Sequence, residues 1–130
     1  MMLTFDRLQA GRALGDATVR VDADCLSKWD SMFPGSIAAA GDHLPSGLVV
    51  ALMMRGYVAI LGERPQGNVH VEQEFFWETK VPKESVLVVT LSCLRKEVQG
   101  GRRWVWFDNQ VGNAAGVRHV RGIMKLVWAA

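Results

Sequence analysis

Apolar residues are densest over 44–61, LPSGLVVALMMRGYVAIL. Wound as a helix, this stretch puts Leu48, Val49, Val50, Leu52, Met53, Tyr57, Val58, Ile60 and Leu61 at nearly every angle. A helix that is apolar on all sides has to be covered by lipid or by protein. Arg55 and Gly56 interrupt the run, and it falls short of the ~20 apolar residues that a bilayer span requires. The pattern therefore predicts a long helix wrapped by protein.

Downstream the period changes to two, the period of strands. Over 68–78, Val69, Val71, Gln73, Phe75 and Trp77 alternate with His70, Glu72, Glu74, Phe76 and Glu78. Strands are also expected over 86–98, 102–111 and 117–128. Gln99-Gly100-Gly101 and the run GNAAG at 112–116 supply hairpin turns between them. A turn at 63–67 and a polar connection at 81–85 complete this half.

Upstream, residues 1–15 lack a clear period and read as irregular. DATVRV at 16–21 alternates like a short strand. Asp22 is a helix N-cap, followed by Cys25, Leu26, Trp29, Met32 and Phe33 at helical spacing, and Pro34-Gly35 ends that helix. SIAAAGD at 36–42 reads as flexible. Pro45 suits the first turn of the long helix, because its missing N–H has no intrahelical partner there. Ser46 or Asp42 is expected to accept the free N–H groups.

The order is strand, short helix, long helix, then four strands that tight hairpins make antiparallel. A sheet curling around one long helix is the layout of the hot-dog fold, of α+β class, and 1–130 is expected to be a single domain of this kind. Composition agrees: the 130 residues are 49% hydrophobic and 22% charged, with a net charge of +2. No basic cluster stands apart from balancing acids, which argues against a nucleic-acid partner. The N-terminus has charges at Asp6, Arg7 and Arg12 and no apolar core of a secretory signal. Cys25 and Cys93 match no metal or redox spacing and are read as reduced thiols. A cytoplasmic protein that neither crosses a membrane nor binds metal is expected.

From about Asp16 onward the chain resembles the MaoC-like branch of hot-dog proteins, the acyl-CoA hydratases, dehydratases and their relatives. The residues that carry the likeness are GDHLP at 41–45, Ser46-Gly47-Leu48 opening the apolar helix, the strand from Asn68 to Trp77, and FDNQVGNAAG at 107–116 ahead of a hydrophobic strand. In that family a Gly-Asp-x-Asn-Pro-x-His motif activates water, and the helix N-terminus polarises the thioester carbonyl. Here Gly41, Asp42 and Pro45 match, whereas Leu44 stands at the Asn position and Gly47 at the His position. In an alternative alignment, Ser46-Gly47 corresponds to the family's later His-Gly pair and the catalytic element is absent.

Candidate chemistry gathers at this helix start. Asp42 and His43 are the catalytic candidates, a carboxylate and an imidazole able to share acid and base work on water; capping and loop roles stand beside that reading. The helix N–H groups at Ser46 and Gly47 are a candidate oxyanion hole. Arg55, a cation in an apolar helix, is a candidate anchor for a substrate carboxylate or phosphate, or half of a buried ion pair with Glu72, Glu74 or Asp108. His70 is a candidate base reaching the site from its strand or a partner subunit, and His119 reads as surface. Arg102, Arg103, Arg118 and Arg121 are candidates for a positive rim that meets the coenzyme A phosphates. Trp77, Trp104, Trp106 and Trp128 are expected to pack on the helix or at an interface.

The resemblance implies hydration of an enoyl thioester, or dehydration of a 3-hydroxyacyl thioester, carried on coenzyme A or acyl carrier protein. No cofactor beyond that carrier is implied. Thioester hydrolysis through Asp42 and a non-catalytic acyl-binding or partner subunit are the alternatives. A homodimer, a dimer of dimers or a trimer of dimers is the expected assembly.

Overall fold

The computed structural model describes residues 1–130. After a 3₁₀ turn at Phe5–Arg7 come strand β1 (Ala13–Arg20), helix α1 (Ala23–Met32), the single-turn helix α2 (Ser36–Ala39) and the long helix α3 (Ser46–Leu61). Four strands complete the chain: β2 (Val69–Trp77), β3 (Val86–Gln99), β4 (Arg102–Gly112) and β5 (Arg118–Trp128). One sheet results, in the order β1-β3-β4-β5-β2, antiparallel at every pairing.

Local chemistry sets these boundaries. Asp22 caps α1, its carboxylate accepting the Cys25 N–H at 2.8 Å. Gly100 and Gly101 both adopt positive φ, 62° and 73°, as the tight β3–β4 turn demands. At the β4–β5 turn the Asn113 side-chain oxygen accepts from the N–H groups of Ala115 and Val117, each at 3.0 Å.

Helix α3 crosses β1, β3 and β4. Strand alternation turns Val105, Phe107, Asn109 and Val111 of β4 inward, and all four are fully buried. One cluster joins Leu48, Val49, Leu52 and Met53 of α3 to Leu87, Val89, Val111 and Val120. A second joins Tyr57 and Leu61 to Leu91, Phe107, Leu126 and Trp128. Each fully buried large side chain contributes about 1.5–3 kcal/mol.

Three features differ from the sequence expectation. The segment 1–15 is ordered in part: β1 begins at Ala13, Leu8 is fully buried, and the Phe5 N–H donates to the Ala130 carbonyl at 2.8 Å. Its order comes from tertiary contacts, which leave no periodic trace. Residues 36–39 form a helical turn rather than a flexible link. Helix α3 is open on the side away from the sheet, where Ala51, Arg55, Val58 and Ala59 are exposed.

Candidate functional site

The segment before α3 is held by backbone bonds. His43 bridges Pro82, the Leu44 N–H donates to the Val81 carbonyl at 2.8 Å, and the Lys83 N–H donates to the Asp42 carbonyl at 3.1 Å. Gly41 enters it with φ of 68°, a conformation that favours glycine. Leu44 is buried and anchors the loop in the core.

Pro45 occupies the N-cap, and no side chain caps α3. The expected capping by Asp42 or Ser46 does not occur: the strand-like pairing of 42–44 with 81–83 directs the chain away from the helix end. The first bond of the helix runs from the Val49 N–H to the Pro45 carbonyl at 3.2 Å. The N–H groups of Ser46, Gly47 and Leu48 precede it and carry the positive end of the helix dipole. Beside Ser46 lies a cavity of about 290 Å³, walled on one half by Leu44, Val49, Trp77 and Val81 and on the other by polar residues, Glu78, Thr79 and Lys80 among them.

Asp42 is exposed and His43 half-buried. Neither residue borders this cavity. Gly47 lies under Trp29 of α1, where a β carbon would come 3.1 Å from the indole ring. This glycine thus lets α1 pack on the start of α3.

Arg55 is exposed, not buried, and the expected ion pair is absent. Asp108 instead pairs with Arg121, Nε lying 3.1 Å from both carboxylate oxygens. Arg55 borders a second cavity of about 360 Å³ between α1 and α3, with Cys25, Trp29 and Leu52. His70 is exposed on β2. A register shift between His70 and Glu72 breaks the uniform alternation, and His70 pairs with Leu126 rather than continuing the Glu72 face. Seven residue steps along the strand separate it from Trp77 at the cavity, about 23 Å. The four predicted site features at Asp42, His43, Arg55 and His70 are therefore not gathered around the cavity, while Ser46 lies in its wall. Of the candidate phosphate rim, Arg118 pairs with Glu78 and Arg121 with Asp108.

His119 is the residue that sequence reasoning misplaces. It is 5% exposed, and its Nδ1 lies 2.6 Å from the Thr79 hydroxyl. Burial pushes its pKa below the ordinary value of 6.5, because an apolar surround disfavours the charged ring. A second unanticipated group is Asn109, fully buried with neither side-chain atom hydrogen-bonded. Trp104 and Trp106 face away from the helix beneath cations: Arg95 stands 3.8 Å above the Trp106 ring and Lys125 4.7 Å above that of Trp104. Trp128 alone of the strand tryptophans is buried in the core. Cys25 and Cys93 are buried free thiols whose pKa values are raised by desolvation. No helix is long and apolar enough to cross a membrane.

No family model and no curated protein matches the sequence. Solved structures do match. The MaoC-like dehydratase from Rhodospirillum rubrum superposes with a TM-score of 0.80 at 20% identity, covering 97% of this chain and 96% of that one. The R-hydratase PhaJ1 from Pseudomonas aeruginosa gives 0.74 at 20% identity, covering 96% and 84%. The HadBC (3R-hydroxyacyl-ACP dehydratase) complex from Mycobacterium tuberculosis gives 0.68 at 16% identity, covering 92% and 98%. At such identities the shared property is architecture, and the architecture is that expected from the sequence: this chain has the α+β hot-dog fold.

Proposed function

We propose that this chain handles acyl thioesters in the manner of a hydratase or dehydratase. The substrate is an enoyl or 3-hydroxyacyl group on coenzyme A or acyl carrier protein. The observation that carries the reading is the uncapped start of α3, whose first residue, Ser46, borders a cavity that is half apolar in its walls. Hydration adds a water oxygen to the β carbon and passes negative charge to the thioester oxygen. Backbone donors fixed at a positive helix end stabilise that developing enolate. The hydratase and dehydratase structures that share the fold support the same reaction class.

Asp42 is the water-orienting base in this reading and His43 its helper, and because their loop is tied down they would serve the site of a second subunit. Their present positions favour a second reading, a non-catalytic acyl-binding or partner subunit, because neither side chain borders the cavity. A panel of enoyl-, 3-hydroxyacyl- and saturated acyl-CoA thioesters separates the two, with hydration, free thiol and binding followed together. Hydration lost in Asp42→Asn supports the first reading; hydration unchanged in that variant removes the role of Asp42. Binding without turnover establishes the second. Absence of binding to every thioester in the panel, acyl carrier protein forms included, rejects both.

A further inference from the structure

We propose that Thr79 and His119 form a nucleophile–base pair that cleaves short acyl thioesters in the cavity at the start of α3. The inference rests on the acyl-thioester reading above and adds a hydrolytic activity that depends on neither Asp42 nor His43.

The pair is built and held in place. His119 is 5% exposed, and its Nδ1 meets the Thr79 hydroxyl at 2.6 Å. The pair works in the tautomer protonated on Nε2, in which Nδ1 accepts from the hydroxyl and can take its proton. The His119 carbonyl accepts from the N–H groups of Glu78 and Thr79 at 2.9 and 3.2 Å, so Thr79 is tied to β5 by its backbone as well as its side chain. The neighbouring Glu78 carboxylate is engaged by Arg118. Burial keeps the imidazole neutral near pH 7, the form a general base requires.

Thr79 shares its cavity with Ser46 at the first turn of α3 and with Leu44, Val49, Trp77 and Val81. Thr79 thus brings its hydroxyl to the same cavity as the first turn of α3 and four apolar side chains, with Glu78 and Lys80 at its polar side and His119 behind Thr79, outside the lining. At about 290 Å³ the cavity lies at the small end of ligand sites, roughly 300–1,000 Å³, so the acyl chain it takes is short. In the first step Thr79 Oγ1 bonds to the carbonyl carbon while its proton passes to His119 Nδ1. The tetrahedral oxyanion collapses, the C–S bond breaks, and the thiol leaves with that proton. Water, giving a proton to His119, then attacks the threonyl ester. The acid departs, and the proton returns to Thr79. The net reaction is thioester plus water to acid plus thiol.

The test compares wild type, Thr79→Val, Thr79→Ser and His119→Gln on butyryl-CoA. Free thiol is measured, an acyl adduct is sought by mass spectrometry on the Thr79 peptide after acid quench, and binding is followed by tryptophan fluorescence. Expected are an adduct in wild type, loss of thiol release by about 10²-fold or more in Thr79→Val and His119→Gln, and retained release in Thr79→Ser. The wild-type adduct is independent of how any variant folds. Undiminished release in Thr79→Val, release without an adduct at Thr79, or wild type that binds butyryl-CoA and releases no thiol overturns the pair while leaving the acyl-thioester reading intact. Wild type that binds no acyl thioester overturns both.

Discussion

Gly56 of α3 lies so close to Val89 of β3 that a β carbon on the glycine would fall 2.6 Å from the β carbon of the valine. This is where the helix backbone comes down onto the sheet, between the two core clusters. Alanine at an ordinary helix interior gains about 1 kcal/mol over glycine. Here Gly56→Ala is expected instead to destabilise the fold by about 1–3 kcal/mol, the usual cost of overpacking. Val89→Ala does not relieve the clash, because the obstructing atoms include the valine's own β carbon. Urea midpoints of the single and double variants check this; an alanine variant as stable as the parent would show that helix and sheet separate freely.

The same glycine shows what the sequence discloses. Beside Arg55 it reads as an interruption in an apolar run, which correctly argues against a membrane span. Its packing role depends on β3, a strand more than 20 residues away in the chain, and on an angle of approach that no local pattern encodes. Elements with long periods are legible: β3, β4 and β5 and the end of α3 lie within a residue or so of expectation. The site is less so. His119 reads as surface because Arg118 and Arg121 flank it, whereas its burial is created by pairing β5 with β2 and by Thr79 beyond the end of that strand. Arg55 reads as buried because its neighbours are apolar, whereas α1 leaves a cavity on that side of α3 and the guanidinium stays exposed at its border.

Asn109 faces the helix from the centre of β4, paired in register with Leu91 and Gly122. Its amide nitrogen and oxygen are buried without hydrogen-bond partners. An unsatisfied buried polar group costs about 1–3 kcal/mol. Asn109→Val removes both polar atoms and is expected to raise stability by a similar amount in a denaturant melt. A clear loss of stability would show that the amide is engaged by a group such as an internal water.

His119 gives the fold a pH dependence of defined sign. Its folded pKa is below the ordinary 6.5, so between these values the unfolded chain binds more protons than the folded one. Stability from this group is complete above about pH 6.5 and is lost as pH falls toward the folded pKa. Glu78 behaves alike in sign but at lower pH, because the hydrogen bond from Arg118 holds its carboxyl below the ordinary 4.5. His119→Gln is therefore expected to flatten the stability profile just below pH 6.5 and to leave the more acidic limb in place. Urea midpoints measured across that range decide it; an unchanged slope below pH 6.5 would remove His119 as its source.

β2 is the sheet edge suited to a partner. Val69, Val71, Phe76 and Trp77 on it are 55%, 45%, 49% and 45% exposed, and its outer backbone groups face no other strand. The opposite edge, β1, is broken by a register shift between Ala13 and Gly15 and carries Asp16 and Arg20, features that discourage edge pairing. Antiparallel pairing of β2 with its copy would extend the sheet across two chains and cover Trp77, deepening the cavity it walls. A stable interface of this kind needs about 1,000 Å² or more of buried surface, within reach of a nine-residue edge with large apolar side chains. Sedimentation equilibrium is expected to give twice the chain mass for the parent. Val71→Lys, which places a charge on the edge, is expected to shift the equilibrium toward single chains by at least tenfold, about 1.4 kcal/mol. A parent that sediments as a monomer at high concentration would reject the pairing, and a Val71→Lys dimer of unchanged affinity would move the interface to another face.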